Sequence, residues 1–161
     1  MDFLLTRTPR QPLRAHGVLG AASRGDWDAA PAEPVAWEDL FALSGLLGIE
    51  IGAAAAQAGE IVEMCGYMTP PMLPEADYFV LSQGPMPDCP FCAPSLSWPD
   101  DIVVVHLRAA GVDIDHPMRP VTVRGRLSLG EEPGPVPGLS SHARLLDAIW
   151  QPGEAPNPPT T

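Results

Sequence analysis

Proline is the feature of this sequence that most restricts its fold, since 21 of the 161 residues are proline. Proline lacks a backbone N–H and clashes with the preceding helical turn, so a content far above the usual ~5% disfavours long helices. Apolar residues make up 45% of the chain, which is enough for a hydrophobic core. The composition therefore predicts one domain of short strands joined by turns, and it argues against a helical bundle.

Four segments after Glu60 have the periodicity of β-strands. In the clearest, apolar residues alternate with polar ones, as Arg124 and Arg126 illustrate. Another is continuously apolar and β-branched, which predicts a strand buried on both faces. The predicted strands are residues 61–67, 78–81, 102–107 and 121–129.

Three further segments give weaker or mixed signals. Residues 37–41 combine acids in a first helical turn with apolar residues at helical spacing, which predicts a short helix. Residues 142–150 fit either a last strand or a helix, and residues 43–58 are apolar without a clear period.

These elements predict a mainly β fold, a small five-stranded barrel of the oligonucleotide/oligosaccharide-binding (OB) type, with a compact sandwich as the alternative. Gly125 interrupts an otherwise regular strand and is expected to allow the sharp bend that a small barrel requires. The predicted domain covers residues 35–150. Residues 1–34 and 151–161 are expected to be disordered tails, because prolines interrupt them and no apolar period is present.

The charge of the chain restricts its partners. The formal net charge is −11, and residues 35–150 contain fifteen acids against five arginines, a net charge of −10. Such a domain repels phosphate backbones, so nucleic acid is not expected as a partner, whereas cations or a cationic protein surface are compatible with it. No uncharged apolar stretch of ~18 residues occurs, so no transmembrane segment is predicted. No signal peptide is readable either, and the compartment stays open.

The three cysteines are the residues with the clearest chemical potential. Cys89 and Cys92 form a Cys-x-x-Cys turn, a spacing at which two thiolates can bind one metal ion. Cys65 lies in a predicted strand on the same face as Glu63, which indicates that its thiol points away from the core. We therefore predict Zn(II) binding by these three cysteines. His106 ends a strand of apolar residues and is the preferred fourth ligand, with water as the alternative.

Two other functions remain open from the residues alone. Cys89 and Cys92 could instead form a thiol-disulfide redox pair, although the prolines that follow leave little room for the helix that activates such thiols. The domain could also be a metal-free interaction module with an acidic surface. No Gly-x-Ser-x-Gly elbow, phosphate-binding loop or His-Glu-x-x-His helix is present, so no catalytic activity is predicted.

Several short motifs together resemble the uncharacterised bacterial family called domain of unknown function 3299. The similarity covers about residues 37–150. It depends on Gly-Tyr-Met-Thr-Pro-Pro at residues 66–71, Phe-Val-Leu at residues 79–81, the cysteine segment at residues 89–94, and residues 120–127.

The resemblance implies an OB-like β-barrel that is usually exported, which in bacteria means the periplasm. Some relatives are encoded near zinc-responsive transport genes, which implies a role in zinc handling and a metal-transport protein as a partner. Many relatives have Cys-x-His where this chain has Cys89 and Cys92. Replacing an imidazole by a thiolate retains a metal ligand and favours softer ions.

Overall fold

The computed structural model describes residues 22–44, 48–69, 76–86, 90, 98–108 and 120–153. The fold is mainly β, as predicted. Three short helices are described, α1 (Arg24–Asp28), α2 (Trp37–Leu40) and a 3₁₀ helix (Ala53–Gln57). The strands are β1 (Glu33–Pro34), β2 (Phe41–Ser44), β3 (Gly48–Ile51), β4 (Ile61–Thr69), β5 (Tyr78–Ser82), β6 (Ile102–Leu107), β7 (Pro120–Pro133) and β8 (Ser140–Pro152).

Five of the strands form a closed ring of hydrogen-bonded neighbours. The order is β4–β5–β6–β8–β7, and β7 pairs again with β4. The β6–β8 pairing is parallel, whereas the other four pairings in the ring are antiparallel. β1 adds to the edge of β4 in parallel, and β2 pairs only with β3 in a separate two-stranded sheet.

The main core lies on the inner side of this ring, because the strands alternate between buried and partly exposed residues. In β4, Val62, Met64, Gly66 and Met68 are buried, while the residues that alternate with them are half-buried. This is the period-two pattern expected of a strand with one face on a core. The largest inner side chain is Trp150, which packs edge-to-face against Phe79 at 6.3 Å between ring centroids.

A second apolar cluster lies on the opposite face of β5 and β6. It contains Tyr78, Val80, Ile102 and Val104, and Leu139 from the β7–β8 connection packs against them. β5 and β6 are therefore buried on both faces, as the continuous apolar run in residues 102–107 predicts.

Gly125 lies where the pairing between β7 and β8 changes register. The register shifts between Arg124 and Arg126, and Asp147 on the opposite strand has a positive φ of 50°. A Cβ atom at Gly125 would be only 3.0 Å from the Cβ atoms of Leu145 and Ala148. The structure shows a shift of register at this glycine, whereas the predicted sharp bend stays a prediction. A Cβ atom there would require β8 to move by a few tenths of an ångström.

The described part of the N-terminal segment is more structured than its prolines predict. α1 and β1 both fall within residues 22–34, where no regular structure was expected. β1 pairs with β4, and Trp27 of α1 accepts from Arg124 on β7; both partners are distant in sequence, so local periodicity gave no sign of these elements. Residues 37–40 form the predicted short helix, and residues 142–150 belong to a strand rather than a helix. The proposed boundary of the domain at residue 35 stays a prediction.

Candidate functional site

Cys65 lies on the outer face of β4, as the position of Glu63 in the same strand predicts. The residue is half-buried and its thiol is free. Its Sγ atom is 3.4 Å from the hydroxyl oxygen of Thr122 on β7, and the Trp37 indole N–H donates to the Cys65 carbonyl oxygen at 2.6 Å. The backbone at Cys65 is thus held firmly, while the thiol has only a weak hydrogen-bond partner.

The connection that carries the other two cysteines begins at the end of β5. Tyr67, two residues after Cys65 on β4, pairs with Ser82, the last residue of β5. The Ser82 hydroxyl donates to the Gly84 carbonyl oxygen at 2.8 Å, which fixes the first turn of the connection. Cys89 and Cys92 themselves lie outside the described residues.

His106 lies on β6 in a different environment. It pairs with Tyr78 on β5, and the following residue, Leu107, donates its N–H to the Asp77 carbonyl oxygen at 2.7 Å. Burial lowers the pKa of His106 below its ordinary value of 6.5, and the positive charge of Arg144 acts in the same direction. The carboxylates of Asp77 and Glu132 oppose this shift.

The register of the strands does not bring Cys65 and His106 together. On β4, Tyr67 lies two residues after Cys65, and it pairs with Ser82 on β5. Ser82 in turn lies four residues after Tyr78, which pairs with His106 on β6. Six residues of strand correspond to about 20 Å at ~3.3 Å per residue. Ligands of one zinc ion lie ~2.0–2.3 Å from the metal, so one ion cannot contact both side chains in this arrangement. Among the described residues, no group of three or more His, Cys, Asp or Glu side chains is placed to hold a metal.

Arg124 is the most connected side chain near Cys65. It forms an ion pair with Glu63 at 2.7 Å, and its Nη1 donates to the Trp27 and Ala30 carbonyl oxygens at 2.7 and 3.0 Å. Its guanidinium also lies 4.2 Å from the centroid of the Trp27 ring, a cation–π contact. From the sequence alone, Arg124 is recognisable only as a polar residue of a strand, because its partner Trp27 is 97 residues away.

No described helix is both long and apolar enough to span a membrane. This agrees with the prediction from the sequence, in which no apolar stretch of the required length occurs.

The chain was compared with known proteins. No family model matches the sequence, and no curated protein matches it. A search of solved structures found the crystal structure of a DUF3299 family protein from Pseudomonas aeruginosa PAO1, with a TM-score of 0.53 and 20% sequence identity. The match covers 77% of this chain and 97% of that chain. The resemblance predicted from the short motifs is therefore confirmed at the level of the fold: the chain has the fold of a DUF3299 family protein.

Proposed function

We propose that this protein binds Zn(II) through the thiolates of Cys65, Cys89 and Cys92, with water in the fourth position. The observation that carries the proposal is the place of Cys65, a half-buried residue on the outer face of β4. It lies two residues from Tyr67, whose partner Ser82 is followed by the segment that contains the other two cysteines. Thiolates at Cys-x-x-Cys spacing are typical zinc ligands. His106 is left out of the proposed site because of its distance from Cys65 along the strands.

The length of the connection is compatible with this site. Cys89 follows Gly84 by five residues, which can span at most ~17 Å of extended chain. Ser82, two residues before Gly84, pairs with Tyr67, which lies two residues from Cys65 on β4, and neighbouring strands are about 4.8 Å apart. The chain is therefore long enough for the Cys-x-x-Cys turn to return to Cys65.

For the fold, we propose that the ring of five strands is a small OB-like barrel and that the chain is a member of the DUF3299 family. Closure of β4 onto β7 supports a barrel, because it leaves each of the five strands with two neighbours. The solved structure supports the family assignment, since almost all of that chain is matched.

The chemistry of the site would depend on its fourth position. A neutral protein ligand there would close the shell and favour a structural or storage role, whereas water leaves a position at which the metal can be passed on. We propose the second arrangement, with zinc handling as the role and a metal-transport protein as the partner. The negative charge of the domain, −10 over residues 35–150, also favours the approach of cations.

Zinc content and thiol reactivity, measured together, test the proposal. The full chain is purified under reducing conditions, and both are measured with and without a chelator. We expect nearly one zinc per chain and thiols that react only after chelation. Freely reactive thiols and no bound zinc would exclude zinc binding and favour a metal-free interaction module.

The effect of the chelator also distinguishes zinc binding from the alternative function, a thiol-disulfide redox pair. A thiol-disulfide protein would show a reversible dithiol couple that Cys92→Ser abolishes and that a chelator does not affect. It would also not depend on Cys65, so the Cys65→Ser variant distinguishes the two functions directly.

A further inference from the structure

The described N-terminal residues cross the outside of the sheet as a strap, which we define as residues 22–35. At one end, Ala22 donates its N–H to the Trp150 carbonyl oxygen on β8 at 2.7 Å. At the other end, Val35 donates its N–H to the Glu63 carbonyl oxygen on β4 at 2.9 Å. Between these two points the strap passes over β7, where Arg124 binds it.

Arg124 is the principal latch of the strap. Its two hydrogen bonds to the Trp27 and Ala30 carbonyl oxygens hold the end of α1, and its guanidinium covers the Trp27 ring. The ion pair with Glu63 fixes the direction of the guanidinium. Arg124 therefore connects three segments, β7, β4 and the strap, through one side chain.

The strap contributes little to the hydrophobic core. No residue of α1 is buried, and within the strap only Val35 belongs to the main core cluster. A segment held by a few polar contacts and little apolar area opens at lower free energy than the sheet on which it lies. The strap is thus the part of the described outer face that is most readily released.

The strap covers the row of outer-face residues next to the row that contains Cys65. One row of the outer face runs across β4, β7 and β8. In it, Cys65 pairs with Thr122, and Thr122 pairs with Gln151. Glu63 and Arg124 are paired in the row next to it, which the strap covers. The start of the strap reaches the first row as well, because the Gln151 amide donates to the Ala22 carbonyl oxygen at 3.5 Å.

We propose that the strap opens independently of the sheet, with Arg124 as its latch, and that its opening controls access to the Cys65 thiol. The second part rests on the proposed function, because it makes the strap a gate for metal exchange at that site. When the strap is bound, it forms a wall along one side of Cys65. When it is released, the outer face of β4 and β7 becomes open to solvent and to a partner.

The test measures alkylation of Cys65 by N-ethylmaleimide, an uncharged reagent, in the presence of a chelator. The full chain carries Cys89→Ser and Cys92→Ser, which leave Cys65 as the only thiol of the three cysteines. In this background, Trp27→Ala and Arg124→Ala should each raise the alkylation rate about tenfold, a change equivalent to about 1.4 kcal/mol in the opening equilibrium. Arg126→Ala is the matched control and should leave the rate unchanged, since Arg126 lies on the same strand but donates to Gly59 outside the strap.

Trypsin cleavage after Arg24 is the second measurement, because this side chain lies in the strap and is exposed. Cleavage should accelerate in the same two variants, while circular dichroism shows that the sheet is retained. Faster alkylation in Arg124→Ala without faster cleavage would indicate an effect of the lost charge on the thiol and overturn the proposal. Trp27→Ala keeps the charge of Arg124 and removes its cation–π contact, so it should accelerate both reactions. Faster cleavage without faster alkylation would also overturn it, since the strap would then open without controlling Cys65. No metal takes part in either assay, so these results are independent of whether the chain binds zinc.

Discussion

The two faces of β4 show how one strand divides its residues between stability and chemistry. The inner residues are fully buried in the core, whereas four outer residues are half-buried and three of these four carry polar groups; the fifth, Thr69 at the end of the strand, is buried. The inner set is Val62, Met64, Gly66 and Met68, and the half-buried outer set is Ile61, Glu63, Cys65 and Tyr67. Because side chains alternate along a strand, neighbouring substitutions should have entirely different effects.

The difference between the faces has a physical cause. Inner side chains are surrounded by other strands of the ring, so any change in their volume leaves a cavity or a clash. Outer side chains border on solvent, the strap or a connection, where groups can be replaced at small cost and can meet a ligand. Of the four predictions that follow, the first three test this division and the fourth concerns His106; they begin with the largest expected effect on stability.

Met64→Ala should have the largest effect, because Met64 is only 1% exposed and its truncation leaves a cavity in the core. We expect a loss of about 3 kcal/mol in the free energy of unfolding, measured by urea denaturation. Ile61→Ala on the outer face of the same strand is the control and should cost about 1 kcal/mol or less. Equal losses at the two positions would contradict the division between the faces.

Gly66→Ala should come next. A Cβ atom at Gly66 would lie 2.7 Å from the Ser82 carbonyl oxygen and 2.8 Å from Cγ of Leu81, so β5 must shift to accept it. We expect a destabilisation of about 2 kcal/mol. In Gly84→Ala the added methyl group meets no atom within 4 Å, so this variant should keep the wild-type midpoint of unfolding.

Cys65→Ser should change stability little without metal, because the residue is half-buried and a hydroxyl can replace the thiol beside Thr122. In the presence of a chelator we expect a change within about 0.5 kcal/mol. Zinc at 100 times its dissociation constant should stabilise the wild type by about 2.7 kcal/mol and the variant much less. An equal thermal shift with zinc in both proteins would separate Cys65 from the proposed site.

The smallest expected effect is that of His106 on the pH dependence of stability. Its pKa is lowered in the folded state, mainly by burial, so below pH 6.5 the unfolded chain takes up a proton that the folded chain accepts less readily. The contribution of His106 to stability is therefore complete above pH 6.5 and is lost as the pH falls through the folded pKa. His106→Gln should lose less stability than wild type between pH 7.5 and 5.5 in thermal unfolding. A steeper loss of stability in the variant would contradict a lowered pKa of His106 in the folded state.

The sequence contained most of the information about the strands and the faces. The alternation around Arg124 and Arg126 predicted β7, and Glu63 correctly indicated that Cys65 faces outward. These predictions succeeded because burial on one side of a sheet has a period of two that is visible in any single strand. The apolar run at residues 43–58 lacks such a period, which left helix, loop and first strand open, and the pairing of β2 with β3 was not predicted.

The features that were missed depend on contacts between distant residues. His106 was the preferred fourth ligand, but its distance from Cys65 follows from the β4–β5 and β5–β6 registers, which no single strand reveals. The strap was missed for the same reason, since Arg124 meets the strap only after β7 and β4 have paired. The chemistry of a residue can be inferred locally, whereas its neighbours are determined by strand order and register.

The sulfur coordination of bound zinc tests the central claim most directly. X-ray absorption at the zinc edge, recorded on the full wild-type chain and on Cys65→Ser, gives the number of sulfur ligands and their distances. We predict three sulfur ligands at about 2.3 Å in the wild type and two in the variant. A zinc shell of nitrogen and oxygen alone, or a sulfur count that Cys65→Ser does not change, would contradict a site that includes Cys65.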